Sequence, residues 1–432
     1  MKMANMDDYF DVVIVGTGAA GLYCALNLPA RYRILLLTKQ KADESDSFLA
    51  QGGICMQHGE ADYRPFFDDT MRAGHYENNP ATVDLMIRSS NSIIRDLVRR
   101  GVRFARDDHG ALRFTREGAH SRPRILFHED ITGHEITQTL LNEVLRCENI
   151  ELREHTTLLD FFADASACGG VIAAGPDGEP RAIGAGAVVL ACGGIGGLYK
   201  NSTNFPHITG DAIAMALRHG VACEHLDYIQ IHPTTLYSHR KGRRFLISES
   251  VRGEGALLLD KSGNRFTNEL QPRDVVSAAI RAQMEKDGTD HVWEDMRPIG
   301  EAAIREHFPN ILERCEEEGY DPIHEPIPVV PAQHYFMGGI TADLSSRTAL
   351  PRLYACGETC CNGVHGRNRL ASNSLLESLV FAQRAADDIL YGEPPVFTGD
   401  KPDLAPYREQ EPLFAAYRQE VLTAIERSKN HE

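Results

Sequence analysis

A chain of 432 residues, 42% of them hydrophobic, is too long for one ordinary domain and has interior enough to enclose a large cofactor. Its 45 Lys and Arg against 61 Asp and Glu leave a formal net charge of −16, which argues against nucleic acid or an anionic membrane as a partner and makes inward-facing Arg and His the informative cations. No apolar run approaches the ~20 residues of a membrane span, and the opening MKMANMDDYF is too short and polar for a signal peptide, so no membrane attachment and a cytoplasmic location are expected.

The first element is the most telling. Val12 to Val15 form an unbroken apolar run that reads as a buried parallel strand, and Gly16-Thr17-Gly18-Ala19-Ala20-Gly21 follows at once and opens an alanine- and leucine-rich helix. Gly16 permits a tight turn, Gly18 lets backbone approach a pyrophosphate, and Gly21 lets the helix pack on the strand, while the helix N-terminus offers N–H donors and positive potential. The spacing reads as a dinucleotide site, with an ordinary glycine-rich turn as the alternative. The second strand, Arg33 to Thr38, ends at Lys39, where the common fingerprint places an acid for the adenosine ribose. A lysine there suits the 2′-phosphate of NADP, or leaves the ribose to backbone and other side chains.

Asp43 to Gly53, DESDSFLAQGG, reads as a loop that ends in a double-glycine approach to a ligand; Asp46, Ser47, Phe48, Leu49, Ala50, Gln51, Gly52 and Gly53 are its candidate cofactor contacts. Amphipathic helices follow over Ala81 to Gly101 and Gly133 to Leu145. Glu151 to Arg181 alternates strand-like runs with Gly-Pro-Asp-Gly turn chemistry, as a small antiparallel ribbon does. Ala187 to Gly197 repeats the opening theme of an apolar strand running into glycines, and Thr209-Gly210-Asp211 starts a helix through Leu217, with Asp211 as its N-cap, a ligand contact, or both.

The predicted fold class is α/β: a Rossmann-like dinucleotide-binding domain with an inserted α+β capping domain. Residues 1–223 form the first part of the binding domain, 224–335 the insert, 336–392 its second part, and 393–432 a linker and last helix, expected over Pro412 to Arg427. The ten cysteines show no C-x-x-C pair and read as small buried hydrophobes; Cys356, Cys360 and Cys361 cluster without ligand spacing, so no metal site is expected.

Gly357-Glu358 ends a predicted strand. An acid there can accept bonds from ribityl hydroxyls, which a flavin has and a nicotinamide dinucleotide lacks. With Lys39 in place of the acid, and Ser374-Leu375 opening a helix whose N-terminus can face an electron-rich ring, FAD is the better cofactor.

The motifs GTGAAG, SFLAQGG, TREGAHSRPRILFHEDITG, VVLACGGIGG, TGDAIAMA, IQIHPT, RGEGALLLD, NELQPRDVVSAAI, HYFMGGI and HGRNRLASNSLLES, in that order from Asp11 to about Leu390, resemble the succinate dehydrogenase and fumarate reductase flavoprotein superfamily, and within it the aspartate-oxidising branch. The resemblance implies FAD, a mobile capping domain, and a dicarboxylate held between that domain and the flavin. A dianion needs cationic, bond-donating groups, and the motifs offer His232, Arg273, His334 and Arg369; singly, each is also readable as a core histidine or a surface ion pair. By resemblance Arg273 is the catalytic arginine, as proton carrier or as carboxylate clamp, and Glu117 meets the substrate ammonium. Asp46 stands where quinone-linked relatives carry a flavin-bonding histidine, which implies noncovalent FAD. Ser248 replaces a substrate-contacting threonine and keeps the hydroxyl.

The implied reaction takes L-aspartate to iminoaspartate with O2 or fumarate as acceptor and hands the product to quinolinate synthase in NAD biosynthesis. A soluble fumarate reductase and a noncatalytic FAD- and dicarboxylate-binding protein are the alternatives. Most relatives continue into a three-helix C-terminal domain where this sequence has one predicted helix, so altered stability, assembly and cap motion are expected.

Overall fold

The computed structural model describes residues 8–240, 242–393 and 395–429; residues 1–7, on which much of the signal-peptide reading rests, lie outside them. Tyr9–Val15 is the middle of a seven-stranded sheet whose order is Ile150–Arg153, Ile34–Leu37, Tyr9–Val15, Pro180–Leu190, Cys168–Ala174 and Thr157–Ala163. Pro180–Leu190 is long enough to hold two neighbours on one edge. Its first half pairs antiparallel with Cys168–Ala174, and its last residues, Val188 to Leu190, pair parallel with Leu353–Ala355.

The unbroken apolar run in the first strand is explained by helices on both faces of this sheet. Val12 and Ile14 pack with Leu22, Tyr23, Leu376 and Leu379 of helices Ala19–Asn27 and Asn373–Tyr391, whereas Phe10, Val13 and Val15 pack with Ile213, Met215, Tyr417 and Val421 on the opposite side. The last helix spans Gln410–Lys429, longer at both ends than predicted, and buries Tyr417, Val421 and Ile425. Tyr417 also donates its hydroxyl to Leu159 O at 2.7 Å, which fixes the helix to the sheet edge.

Two expectations need correction. Glu151 to Arg181 is not a separate ribbon: Ile150–Arg153 joins the main sheet parallel to Ile34–Leu37, and only the strands from Thr157 onward run antiparallel. Periodicity identifies a short strand but not its neighbour. Asp211 is not an N-cap. Gly210, at φ +73°, takes that position, and the Asp211 carboxylate is engaged by Thr209 Oγ1 and Lys39 Nζ, both at 2.7 Å.

The inserted segment contains a four-stranded antiparallel sheet in the order Ile229–Leu236, Ile327–Phe336, Val292–Asp295 and Leu257–Leu259, crossed by helix Arg273–Asp287. It has its own apolar cluster, which includes Leu236, Leu258, Val276, Ile280 and Val329. No helix among the described residues is long and apolar enough to cross a membrane.

Candidate active site

A cavity of about 420 Å3 opens where the first strand gives way to its helix. Its wall takes in Gly16, Thr17 and Gly18, Lys39, Asp46 to Gly53, Asp211, Glu358, Ser374 and Leu375, and also Glu117, His232, Ser248, Arg273, His334 and Arg369. The structure thus brings nearly all the predicted residues to one space. Ala19 and Gly21 stand behind it. Ala19 N donates to Ser47 Oγ at 3.0 Å, and a Cβ on Gly21 would meet Gly16 O at 1.9 Å, so only glycine lets the helix close on the turn. Gly16 has φ +115°, and a side chain there would strike Ala191 O at 2.1 Å.

The cofactor half of the wall carries unspent polar atoms. Ser45 Oγ, Asp46 Oδ2 and Gln51 Oε1 are buried without a hydrogen-bond partner, which is what a bound polar group would satisfy. Asp46 accepts from Phe205 N at 2.9 Å, and burial raises its carboxyl to about 7; Glu358 accepts from Phe336 N at 3.0 Å and is raised to about 8 by burial, then by Asp46. These acceptors and the glycine turn fit FAD. Lys39 Nζ is already held by Asp211 and His207 O and lies 4.8 Å from the Phe414 ring centroid, so the C-terminal helix covers this end of the wall.

The other half is cationic. Arg273 is the first residue of its helix, with Nε donating to Glu249 Oε2 at 2.5 Å and Nη1 to Gln230 Oε1 at 2.8 Å. Arg369 Nε donates to the same Gln230 oxygen at 3.2 Å, Nη1 bonds Ser374 Oγ, and the guanidinium sits 4.2 Å from the Tyr335 ring centroid. Burial, then the facing Arg273, lowers Arg369 to about 10. Burial opposes charge on Glu249, but Arg273 and Arg252 hold its carboxyl below the usual range.

His232 and His334 lie with ring centroids 5.1 Å apart. His232 Nδ1 is 3.0 Å from Thr234 O and its Nε2 is buried without a partner; His334 Nδ1 is 2.8 Å from Thr203 Oγ1. Burial, then Arg273, holds both well below the ordinary imidazole range, so both are neutral at physiological pH. Glu117 accepts from Ser250 Oγ at 2.8 Å and from Ser372 Oγ at 2.6 Å; burial, then Glu249, raises its pKa. Ser248 caps helix Glu249–Gly253 by accepting from Ser250 N at 3.2 Å.

Sequence reasoning missed Gln230, Glu249, Ser372 and Arg243. Gln230 was open to discovery: it precedes His232 by two on one strand, and period two places both on one face. Glu249 adjoins Ser248. Ser372, at φ +60°, also accepts from Gly53 N at 3.1 Å and so joins the glycine loop to Glu117. Arg243 was one of a basic run; it lines the cavity over the Phe205 ring.

Comparison with known proteins gives the family. An FAD binding domain family model matches residues 11–375. The L-aspartate oxidase of Clostridium perfringens (strain 13 / Type A) is 48% identical over 380 residues, 88% of this chain and 86% of that protein. The L-aspartate oxidase of Nostoc sp. (strain PCC 7120) is 44% identical over 442 residues, 98% and 76% of the two chains. Among solved structures, a quinol-fumarate reductase with menaquinol molecules superimposes with TM-score 0.84 at 32% identity, over 95% of this chain and 75% of that one. A mutant of E. coli quinol fumarate reductase FrdA gives 0.82 at 30%, over 95% and 74%. A glycine turn, unspent acceptors and paired arginines on one cavity, together with these relatives, place the chain in the FAD-binding-domain family of flavoproteins, among the L-aspartate oxidases.

Proposed function

We propose that the protein oxidises L-aspartate to iminoaspartate. The observation that carries the reading is the convergence of Arg273 and Arg369 on Gln230 Oε1, with neutral His232 and His334 beside them and Glu117 on the same cavity. When bound, FAD supplies the ring that takes the Cα hydride and passes the electrons on to O2, giving H2O2, or to fumarate.

The chain's own residues supply recognition and orientation. Arg273 and Arg369 clamp the two substrate carboxylates through charge-assisted bonds, and one N–H from each is already spent on Gln230, which sets the planes of both guanidiniums. His232 and His334 stay neutral and add no charge that would hold product too tightly. With Nδ1 accepting from Thr234 N at 3.2 Å, His232 carries its one proton on Nε2, and with Nδ1 accepting from the Thr203 hydroxyl His334 does the same, so each offers a donor to a carboxylate. Ser248 accepts from Ser250 N, which leaves its hydroxyl proton for a carboxylate. Glu117 receives the substrate ammonium and distinguishes an amino acid from succinate. In oxidation Arg273 acts as clamp, since an arginine is a poor base.

Asp46 offers no ring nitrogen five residues before Gln51, so FAD is held noncovalently and acid precipitation should release all the yellow colour. The negative charge and the absence of an apolar spanning helix among the described residues support a cytoplasmic enzyme whose product passes to quinolinate synthase for NAD biosynthesis. The test is anaerobic mixing of the flavoprotein with L-aspartate, with succinate in parallel, followed by air. Bleaching by aspartate, then recovery with H2O2 and oxaloacetate from imine hydrolysis, supports the reading. Bleaching by succinate alone overturns it in favour of a fumarate reductase, and bleaching by neither overturns it in favour of a binding protein.

A further inference from the structure

Away from the cavity, three side chains of different chemistry meet. One ligand atom from each of Glu224, His225 and Cys361 lies within 4.8 Å of the other two. The sequence reading expected no metal here because Cys360 and Cys361 are vicinal and nothing nearby completes a set. The fold supplies the rest from more than a hundred residues upstream.

A three-stranded sheet fixes the arrangement. Cys223–Glu224 pairs antiparallel with Gly339–Thr341, Glu224 opposite Gly339, and Thr341 pairs in parallel register with Cys361. Gly339, between Glu224 and the cysteine strand, presents no side chain, and a Cβ on Gly338 would strike His225 O at 2.0 Å, so two glycines let the chains close up. The His225 ring is held by stacking on Tyr228, with centroids 4.4 Å apart and planes 19° from parallel. Thr341 Oγ1, in register with Cys361, is buried without a partner.

We infer that Glu224, His225 and Cys361 bind one divalent zinc-like cation through carboxylate oxygen, imidazole nitrogen and thiolate, with water completing the shell. Ligand atoms in a tetrahedral zinc site lie about 3.5 Å apart, so small side-chain rotations suffice. A thiolate and imidazole set selects against Mg2+ and Ca2+, which take oxygen. Glu224 and His225 are exposed, which leaves an entry path, and Cys361 forms the buried floor. Binding moves the Cys361 thiol proton to solvent as the metal–sulfur bond forms, with no change of oxidation state. The clip joins the chain where it enters the inserted segment to the return strand that follows Glu358.

The FAD-loaded protein, stripped with chelator, is titrated with Co2+ and Zn2+. One Co2+ per chain, with tetrahedral d–d bands at wavelengths longer than the flavin absorbs and displaced by Zn2+, is expected. Cys361→Ser should abolish the bands, and Glu224→Gln and His225→Gln should each weaken binding by more than about tenfold. Glu224 is exposed, so its variant folds and keeps the test decisive. A six-coordinate cobalt spectrum, or equal bands in the parent and Cys361→Ser, overturns the inference.

Discussion

Arg273 and Arg369 share one acceptor: Gln230 Oε1 takes Nη1 of the first at 2.8 Å and Nε of the second at 3.2 Å, while Gln230 Nε2 donates to Asn368 Oδ1 and Arg369 O, both at 2.8 Å. A neutral amide therefore spaces two like charges that come from segments far apart in the chain. Gln230→Leu removes the spacer and leaves the guanidiniums free to splay. The expected outcome in steady-state kinetics is a rise of about 10–100-fold in KM for L-aspartate with a smaller fall in kcat. An unchanged KM would show that each arginine is positioned independently.

Glu117 bears on discrimination. Glu117→Gln keeps the shape and an acceptor for one of the Ser250 and Ser372 hydroxyls, turns the other oxygen into an amide donor, and removes the charge. Affinity for L-aspartate should fall by roughly 10–100-fold while that for succinate changes little, read by perturbation of the flavin spectrum under anaerobic conditions. Because burial and Glu249 raise the Glu117 pKa, aspartate binding in the parent should weaken on acidification from a higher pH than an ordinary carboxylate would give.

Glu294 is a liability that can be measured. It is fully buried in the inserted sheet, neither carboxylate oxygen has a partner, and burial pushes it up to about 8. The folded state thus keeps a proton that an unfolded glutamate releases near pH ~4.3, so stability falls as pH rises between that value and about 8 and then levels off. Glu294→Gln cannot ionise. Thermal unfolding across this range should show a flatter profile for the variant and a gain on the order of 2 kcal/mol at pH 8.

The C-terminal helix should influence cofactor retention. Phe414 lies against Lys39, which is held by Asp211 at the cavity wall. Phe414→Ala should speed loss of FAD by a few-fold on dilution, followed by the rise in free-flavin fluorescence, while Leu422→Ala on an exposed part of the same helix should not.

Much of this was legible in the sequence because glycine and charge leave local signatures. Gly16 and Gly21 announce a turn whose steric demands the backbone bears out, and the order of motifs carried the family and FAD. What stayed hidden was relational. Gln230 has no charge to attract notice, and its importance comes from the two arginines that the fold delivers to it. Asp211 looked like a cap because nothing local foretold that Lys39, from the loop after the second strand, would compete for its carboxylate. Ile150–Arg153 was visible as a strand without its neighbour being visible. Glu224 and Cys361 belong to strands separated by an entire inserted segment, and no spacing rule spans that distance.

The two neighbours on one edge of Pro180–Leu190 also impose an order on biosynthesis. When residue 190 has left the ribosome, most of the large sheet can pair, but Val188 to Leu190 wait for Leu353–Ala355, which is translated only after the whole inserted segment. Glu358, Arg369, Ser372 and Ser374 arrive later still. A nascent chain therefore holds an open apolar edge and then a half-built cavity until residue 374 has emerged, and the cavity wall carries all four of these residues for flavin only then. The cofactor thus meets a chain whose large sheet is already closed, and the first half of the fold forms without it.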